Sequence, residues 1–301
     1  MRVPATALLA VLLASACREE PDLSRGGVEL VYLARLPAEM QGPQRAHALG
    51  ETRSRVARRL QALRIPAVVT SEAGRIRVAL PSGTSSSAIQ AVKSLMPVRA
   101  HLELREVDDE ALVALARNQL LWPNVSPSVK LARYLPEVSE PSDSALQAPS
   151  REAAAEAIRT LSPGVPAGRV LALEAPEGEG KPWKVLMLGP AFLDNDAIAD
   201  ARAVMGERMP AVLLEVRRDA AGRFEEVSRR LVGRRLAITL DGAILTAPYV
   251  TAPITGGRVQ ITLGASGTVE GAKLLATQLS MGPLPYPLAL EAERAIPPSR
   301  P

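Results

Sequence analysis

Apolar and polar positions alternate most clearly in residues 234–263. Large apolar side chains recur at every second residue from Leu236 to Leu240, which is the pattern of a half-buried strand. Asp241-Gly242 follows, and this dipeptide is favoured in two-residue hairpin turns because it tolerates positive φ. Pro248 limits further ladder pairing on the return strand, and Arg258 to Leu263 alternates again. The pattern therefore predicts a hairpin, a loop interrupted by proline and a third strand.

Residues 28–107 mix the two hydrophobic periods. Period-2 runs and apolar residues at helical spacing predict, in order, a strand at 28–36, a helix at 43–63, strands at 67–70 and 75–80, a helix at 86–96 and a strand at 98–106. This order is that of the split βαβ arrangement of ferredoxin-like domains. We therefore predict a ferredoxin-like base domain over residues 28–107.

Residues 108–181 carry the weakest pattern in the chain. Helical spacing occurs at 109–121 and 151–161, and the proline- and serine-containing stretch 141–150 predicts a loop or linker. We therefore interpret this region as helices and loops that connect two domains.

The pattern of apolar and polar residues becomes regular again near residue 182, and it predicts a small α+β head domain over residues 182–263. Asp194 is placed to cap a helix over 197–204. The other predicted head elements are strands at 184–188 and 211–217, a helix at 223–231 and the hairpin and third strand described above. Residues 264–290 predict a helix that begins after Thr268 and a proline-rich end, and residues 291–301 predict a loose tail. The fold class predicted for the whole chain is α+β.

The first 17 residues carry an apolar run that resembles a targeting signal. Arg2 precedes the apolar segment Ala5 to Leu13, and small residues then lead to Cys17, the one cysteine. The run is shorter than the roughly 20 residues that a spanning helix needs, so it predicts an export signal. Small residues that end in cysteine resemble a bacterial lipoprotein signal, cleaved before Cys17 and lipid-modified on its sulfur.

Two alternatives to the lipoprotein signal stay open, namely a plain signal peptide cleaved nearby and a buried N-terminal helix. In the lipoprotein interpretation residues 18–27 are a tether, and the protein is held at the membrane by lipid rather than by a spanning helix. Arg18, rather than Asp, follows the cysteine, which slightly favours the outer membrane over the inner one. No thiol would then remain for a disulfide, catalysis or a metal.

Composition and motifs exclude several function classes. Aromatic residues make up 3% of the chain, too few for stacking platforms on single-stranded nucleic acid, and a net charge of +4 does not by itself indicate a nucleic-acid partner. His47 and His101 are predicted to face solvent. The Gly178-x-Gly-Lys181 stretch lacks the spacing and the hydroxyl residue of a phosphate-binding loop. We therefore predict no catalytic residue, no metal site, no cofactor and no nucleic-acid partner.

The helix predicted at 43–63 is unusually rich in arginine. Its cations, with one more just beyond it, are Arg45, Arg53, Arg55, Arg58, Arg59 and Arg64. The simpler interpretation is a solvated helix surface, and the alternative is a contact with a membrane surface or an acidic partner.

Several short segments, in one order along the chain, resemble the periplasmic first domain of SecD, a membrane protein that assists Sec-dependent export. The segments are RGGV at 25–28, RIRVALP at 75–81, LDGAILTAP at 240–248, PITGG at 253–257 and GPLPYPL at 282–288. Residues 196–201 resemble the helix that opens the head subdomain of that family. The family-motif residues with a structural or turn role are Arg25, Gly26, Gly27, Asp241, Gly242, Thr246, Ala247, Pro248, Thr255, Gly256 and Gly257.

The resemblance implies a base, a head and a role in handling polypeptides. It favours a non-enzymatic, lipid-anchored protein that faces the periplasm and binds secretory polypeptides or a Sec translocon component. The second hypothesis is an envelope interaction module that keeps the fold but has no Sec role, since residues for the family's membrane helices do not follow the resemblance. A hidden enzyme is a third and more remote hypothesis, because a fold does not determine a function.

Overall fold

The computed structural model describes residues 21–118, 122–134, 143–176, 178–206, 209–262 and 267–299. The predicted signal and Cys17, the predicted lipidation site, lie outside these residues. The helices are α1 (Gly42–Ala62), α2 (Ser86–Leu95), α3 (Asp109–Ala116), α4 (Arg151–Leu161), α5 (Arg218–Arg230) and α6 (Val269–Ser280). The strands are β1 (Gly27–Ala34), β2 (Val68–Glu72), β3 (Arg75–Pro81), β4 (Leu102–Val107), β5 (Lys130–Tyr134), β6 (Asp143–Ala148), β7 (Val170–Glu174), β8 (Trp183–Asp194), β9 (Ile198–Met205), β10 (Pro210–Val216), β11 (Leu236–Leu240), β12 (Ala243–Thr246), β13 (Arg258–Thr262) and β14 (Leu288–Ile296).

A four-stranded antiparallel sheet with the order β14-β1-β3-β2 forms the base, together with α1 and α2. The alternation in β1 and β3 buries one face completely, as at Leu30, Tyr32 and Val78. Val56 and Leu60 of α1 belong to the same buried cluster. We refer to these six elements as the base.

The strand that closes the base sheet comes from the end of the chain. We predicted residues 98–106 for this place, but β4 pairs with β8 and β11 in another sheet. Instead, β14 pairs with β1 along its length, from Gly27↔Ile296 to Ala34↔Leu288. The loose tail predicted at 291–301 was therefore wrong over residues 291–296. Charged residues along an edge strand hide the alternation that marks a central one.

The weakly patterned region 108–181 contributes three strands to the largest sheet. That sheet has the order β4-β11-β12-β7-β8-β6-β5, and the extra pairing of β4 with β8 closes its first five strands into a ring. The linker predicted at 141–150 was wrong, because β6 occupies residues 143–148 and pairs with β5 and β8. Ala145, Leu146 and Ala148 of β6 are buried. The ring closes between β12 and β7 through one residue pair, Ile244↔Glu174.

A third sheet, β13-β10-β9, packs against α6 and shares a buried cluster with α5 and β11. The helix predicted over 197–204 was wrong, because these residues form β9 and pair with β10. Asp194 does cap, but it accepts the Asp196 N–H in a single 3₁₀ turn at Asn195–Ala197. The alanines of residues 197–204 have high helix propensity, so the pairing of β9 with β10 overrides the local preference. We refer to residues 102–281 as the head.

The hairpin of residues 236–246 has the predicted turn but not the predicted burial. Leu240 pairs with Ala243 across Asp241-Gly242, and these two residues have φ of 51° and 83°. However, Leu236 to Thr239 are all buried, because β11 lies between β4 and β12 with a buried cluster on each face. The α+β class is confirmed. Within the described residues, no helix is long and apolar enough to cross a membrane.

Candidate functional site at the base–head junction

The hairpin turn at Asp241 binds the first of the two segments that join the base to the head. Its carboxylate accepts the backbone N–H groups of Arg99 (3.0 Å), Ala100 (3.3 Å) and His101 (2.9 Å). The Asp241 N–H in turn donates to the His101 carbonyl at 2.9 Å. Ala100 has φ of 63°, a left-handed conformation that an alanine rarely adopts. The carboxylate therefore stabilises a strained connection between α2 and β4.

Asn195 completes this set of backbone contacts and was missed by sequence reasoning. Its side-chain oxygen accepts the Leu102 N–H at 2.8 Å, and its side-chain amide donates to the Ala100 carbonyl at 3.0 Å. A side-chain amide can mimic a backbone partner in this way because it carries both a donor and an acceptor. Nothing in the local sequence pattern distinguished it from the polar residues around it.

Arg59 of α1 joins both connecting segments from the base side. It is fully buried and donates to the carbonyl oxygens of Val98 (2.7 Å), Arg99 (2.7 Å) and Gly282 (3.0 Å). Burial lowers the pKa of Arg59 to about 10, against the opposing effect of the nearby Asp241 charge. The guanidinium therefore stays charged at neutral pH and supplies hydrogen-bond donors to carbonyls of both connecting segments.

The second connecting segment, which leads from α6 to β14, is held in the same manner. Arg55 donates to the Pro283 carbonyl at 2.6 Å. The Leu284 N–H donates to the Arg99 carbonyl at 2.8 Å, so the two segments also contact each other directly. The helical pattern alone groups Arg55 and Arg59 with the charged surface residues of α1. In the structure, however, both donate hydrogen bonds to the connecting segments.

An open apolar groove lies beside this junction. Its volume is about 380 Å³, and most of the lining surface is apolar. It lies between the end of α2, the tip of β11 and one side of α6, and it is lined by Ser94, Leu95, Val98, Leu240, Gly267, Thr268, Gly271, Leu274, Leu275 and Gln278. Grooves of this size and polarity can bury apolar side chains of a ligand. The groove therefore offers a place where base and head together could hold an apolar segment of a polypeptide.

The other motif residues lie in separate parts of the molecule. A side chain at Gly26 or Gly27 would lie 2.4 Å from the Ile296 oxygen or 2.0 Å from the Leu80 oxygen, so these glycines permit the close approach of β1 to its neighbours. Gly257 packs against Val216, whose N–H donates to the Gly257 carbonyl at 2.7 Å.

The remaining motif residues accompany the hairpin. Thr246 pairs with Ile238, and the Pro248 carbonyl accepts the Leu236 N–H at 2.9 Å. Pro248 therefore still takes part in backbone pairing, through its carbonyl oxygen. Arg25 precedes Gly26 at the edge of the base, and Ala247 packs against the buried cluster of the ring. Of the motif residues, only Asp241 and Gly242 lie at the junction that we describe.

The described residues hold no group of three or more His, Cys, Asp and Glu side chains placed to bind a metal ion. His47 is exposed and His101 is partly exposed. The junction is instead built from backbone groups and their charged partners. Such an arrangement positions two parts of a fold relative to each other and has no paired nucleophile and base.

Comparison with known proteins finds a family match over part of the head and the segment that follows it. Residues 171–286 match the family model described as SecDF, P1 head subdomain. The protein translocase subunit SecDF of Thermus thermophilus is 43% identical over 113 residues, which are 37% of this chain and 15% of that protein. The protein translocase subunit SecD of Acidaminococcus fermentans is 37% identical over 132 residues, 44% of this chain and 29% of that protein. The chain thus spans less than a third of the length of either relative.

The similarity to solved structures extends beyond the head. The structure of SecDF in its super-membrane-facing form superimposes with a TM-score of 0.60 at 30% identity, over 94% of this chain and 33% of that one. A structure described as a membrane component SecDF that enhances protein export has a TM-score of 0.55 at 28% identity and covers 89% of this chain and 100% of that one. The chain therefore carries a SecD P1-like α+β domain, and the recognition made from the sequence is confirmed.

Proposed function

We propose that this protein is a non-enzymatic, periplasmic accessory of protein export that binds secreted polypeptide or a Sec translocon partner. The observation that carries the proposal is the match of residues 171–286 to the SecDF P1 head subdomain. The apolar groove supports it, since most of its lining residues belong to that segment or to the adjoining connection. We also propose that lipid on Cys17 anchors the protein, with the outer membrane slightly favoured.

The groove gives a direct test in cells. A photo-crosslinking amino acid at Leu274 would report what contacts the groove, and the same amino acid at Thr70, an exposed residue of the base edge strand β2, is the matched control. We expect Sec channel components or unfolded secretory chains to be captured from Leu274 and not from Thr70. Capture of envelope proteins alone, with Sec components absent from both positions, would favour the interaction module without a Sec role.

Lipid anchoring is tested separately. We expect incorporation of a labelled fatty acid into the full chain and its loss in a Cys17→Ser variant. Fractionation of the two membranes then tests the outer-membrane preference. Labelling that persists without Cys17, or a soluble periplasmic protein in the unmodified strain, would contradict the anchor while leaving the export role open.

A further inference from the structure

The outer face of α1 is a cationic surface that takes no part in the proposed export role. The structure divides the arginines of this region into two groups. Arg55 and Arg59 turn inward and donate to carbonyls of the junction. Arg53 and Arg58 of the same helix, and Arg64 just beyond it, are exposed. We call these three residues the α1 arginine face.

The charge of the α1 arginine face is not balanced by neighbouring acids. Glu51 is the one acidic residue of α1, and it pairs with Arg55 at 3.0 Å. Within the described part of the chain, the ion pairs involve none of the three arginines of the face. By contrast, Arg75 and Arg77 of β3 each have a carboxylate partner across the sheet. The face therefore keeps its full positive charge.

The side chains of this face favour a charged partner over an apolar one. Between Arg53 and Arg58 the helix exposes the small side chains of Ser54 and Ala57. There is no large apolar or aromatic side chain of the kind that anchors protein–protein interfaces. Arg53 and Arg58 are five positions apart in α1, which corresponds to about 7.5 Å along the helix axis, and Arg64 follows the end of the helix at Ala62. Cations that are spaced apart, with small side chains between them, suit an array of negative charges.

We propose that the α1 arginine face binds the surface of a membrane that contains anionic phospholipid. The guanidinium groups would donate to lipid phosphates, and the contact would be electrostatic because the face has no apolar side chain large enough to insert. Basic residues near such a surface each contribute on the order of 1 kcal/mol, or about fivefold in binding. This contact is independent of the apolar groove and of lipid on Cys17.

The test measures co-sedimentation of the full chain with vesicles of phosphatidylcholine alone or mixed with phosphatidylglycerol. A Cys17→Ser substitution in every protein removes the lipid anchor from the comparison. We expect retention on the anionic vesicles alone, and a reduction of about tenfold to a hundredfold in an Arg53→Gln, Arg58→Gln, Arg64→Gln variant. Raising the salt to about 1 M, where the Debye length is about 3 Å, should also release the unsubstituted protein.

The matched control removes the same charge from arginines that have carboxylate partners. Arg202, Arg217 and Arg229 are exposed, and each forms an ion pair with an acidic residue, so a triple Gln variant at these positions lowers the net charge equally. We expect it to keep anionic vesicle binding within about twofold. Equal loss in both variants would show a general charge effect and overturn the proposal. Unchanged vesicle binding of the α1 variant would also overturn the proposal, even if that variant no longer captured an acidic protein in a pull-down.

Discussion

Arginine has opposite roles at the base–head junction and on the open face of the base sheet. At the junction, Arg59 is fully buried and donates to three carbonyl oxygens. On the open face, Arg77 donates to both carboxylate oxygens of Glu29, at 2.9 and 3.0 Å, and Arg75 makes a similar pair with Glu291. The arginines of the open face thus form ion pairs that remain accessible to water, whereas Arg59 donates to neutral carbonyl oxygens inside the molecule.

We expect burial, rather than the number of ion pairs, to decide how much each arginine contributes. Water can replace a lost partner on the open face, and exposed ion pairs contribute little. Arg59 is fully buried at the junction, so its removal should leave acceptors that water satisfies less easily. The following predictions test this difference, beginning with the largest expected effect.

Arg59→Met should destabilise the protein most. The substitution keeps much of the side-chain volume but removes the guanidinium donor from the carbonyls of Val98, Arg99 and Gly282, while the Arg99 carbonyl keeps the Leu284 N–H. We expect the free energy of unfolding to fall by about 3–5 kcal/mol, measured by urea titration with circular dichroism. Arg53→Met on the exposed side of the same helix is the control, with an expected change within about 0.5 kcal/mol. A loss below about 1 kcal/mol in Arg59→Met would contradict the structural role of this arginine.

Asp241→Asn should have an intermediate effect. Asparagine tolerates the left-handed backbone of this turn, so the substitution changes the charge and one acceptor atom while keeping the turn. The N–H groups of Arg99, Ala100 and His101 then compete for a single carbonyl oxygen, and we expect a loss of about 1–2 kcal/mol in the free energy of unfolding. Unchanged stability would show that the turn geometry alone matters here.

Arg77→Gln should have a much smaller effect than either junction variant. Arg77 pairs with Glu29 and also with Glu72 at 3.1 Å, but all three groups are in contact with water. We expect a slight decrease in the midpoint of thermal unfolding that disappears as salt is added, because screening weakens exposed pairs. A decrease as large as that of Arg59→Met, or one insensitive to salt, would remove the distinction between the two regions.

The pair of Arg75 and Glu291 should give the smallest effect, visible as a dependence on pH. The Arg75 hydrogen bond and charge lower the pKa of Glu291 below its usual value of 4.5. A carboxyl whose pKa is lower in the folded state stabilises above its unfolded pKa and loses that contribution as the pH falls through the folded value. The stability difference between the unsubstituted protein and Arg75→Gln should therefore shrink between about pH 6 and pH 3. A difference that grows on acidification would contradict this assignment.

Local pattern predicted much of the base and of the hairpin. The alternation at Ile76, Val78 and Leu80 and the helical spacing in α1 match the strand and the helix found there, because each of these elements buries one face and exposes the other. The site was less accessible to sequence reasoning. Asp241 was recognised as a turn residue, but its three backbone donors come from residues about 140 positions away, and no local pattern reports such a contact.

Two kinds of information thus determine this protein. The sequence by itself determined the α+β class, most element positions in the base and the SecD P1 resemblance, since all three depend on residues close to one another in the chain. Only the tertiary structure decided that β14 completes the base sheet and that β4 joins the ring, because strand pairing between distant segments depends on backbone hydrogen bonds that residues other than proline can all make. It also decided that Arg55 and Arg59 of α1 donate to the junction, whereas Arg53 and Arg58, and Arg64 beyond the helix, stay exposed.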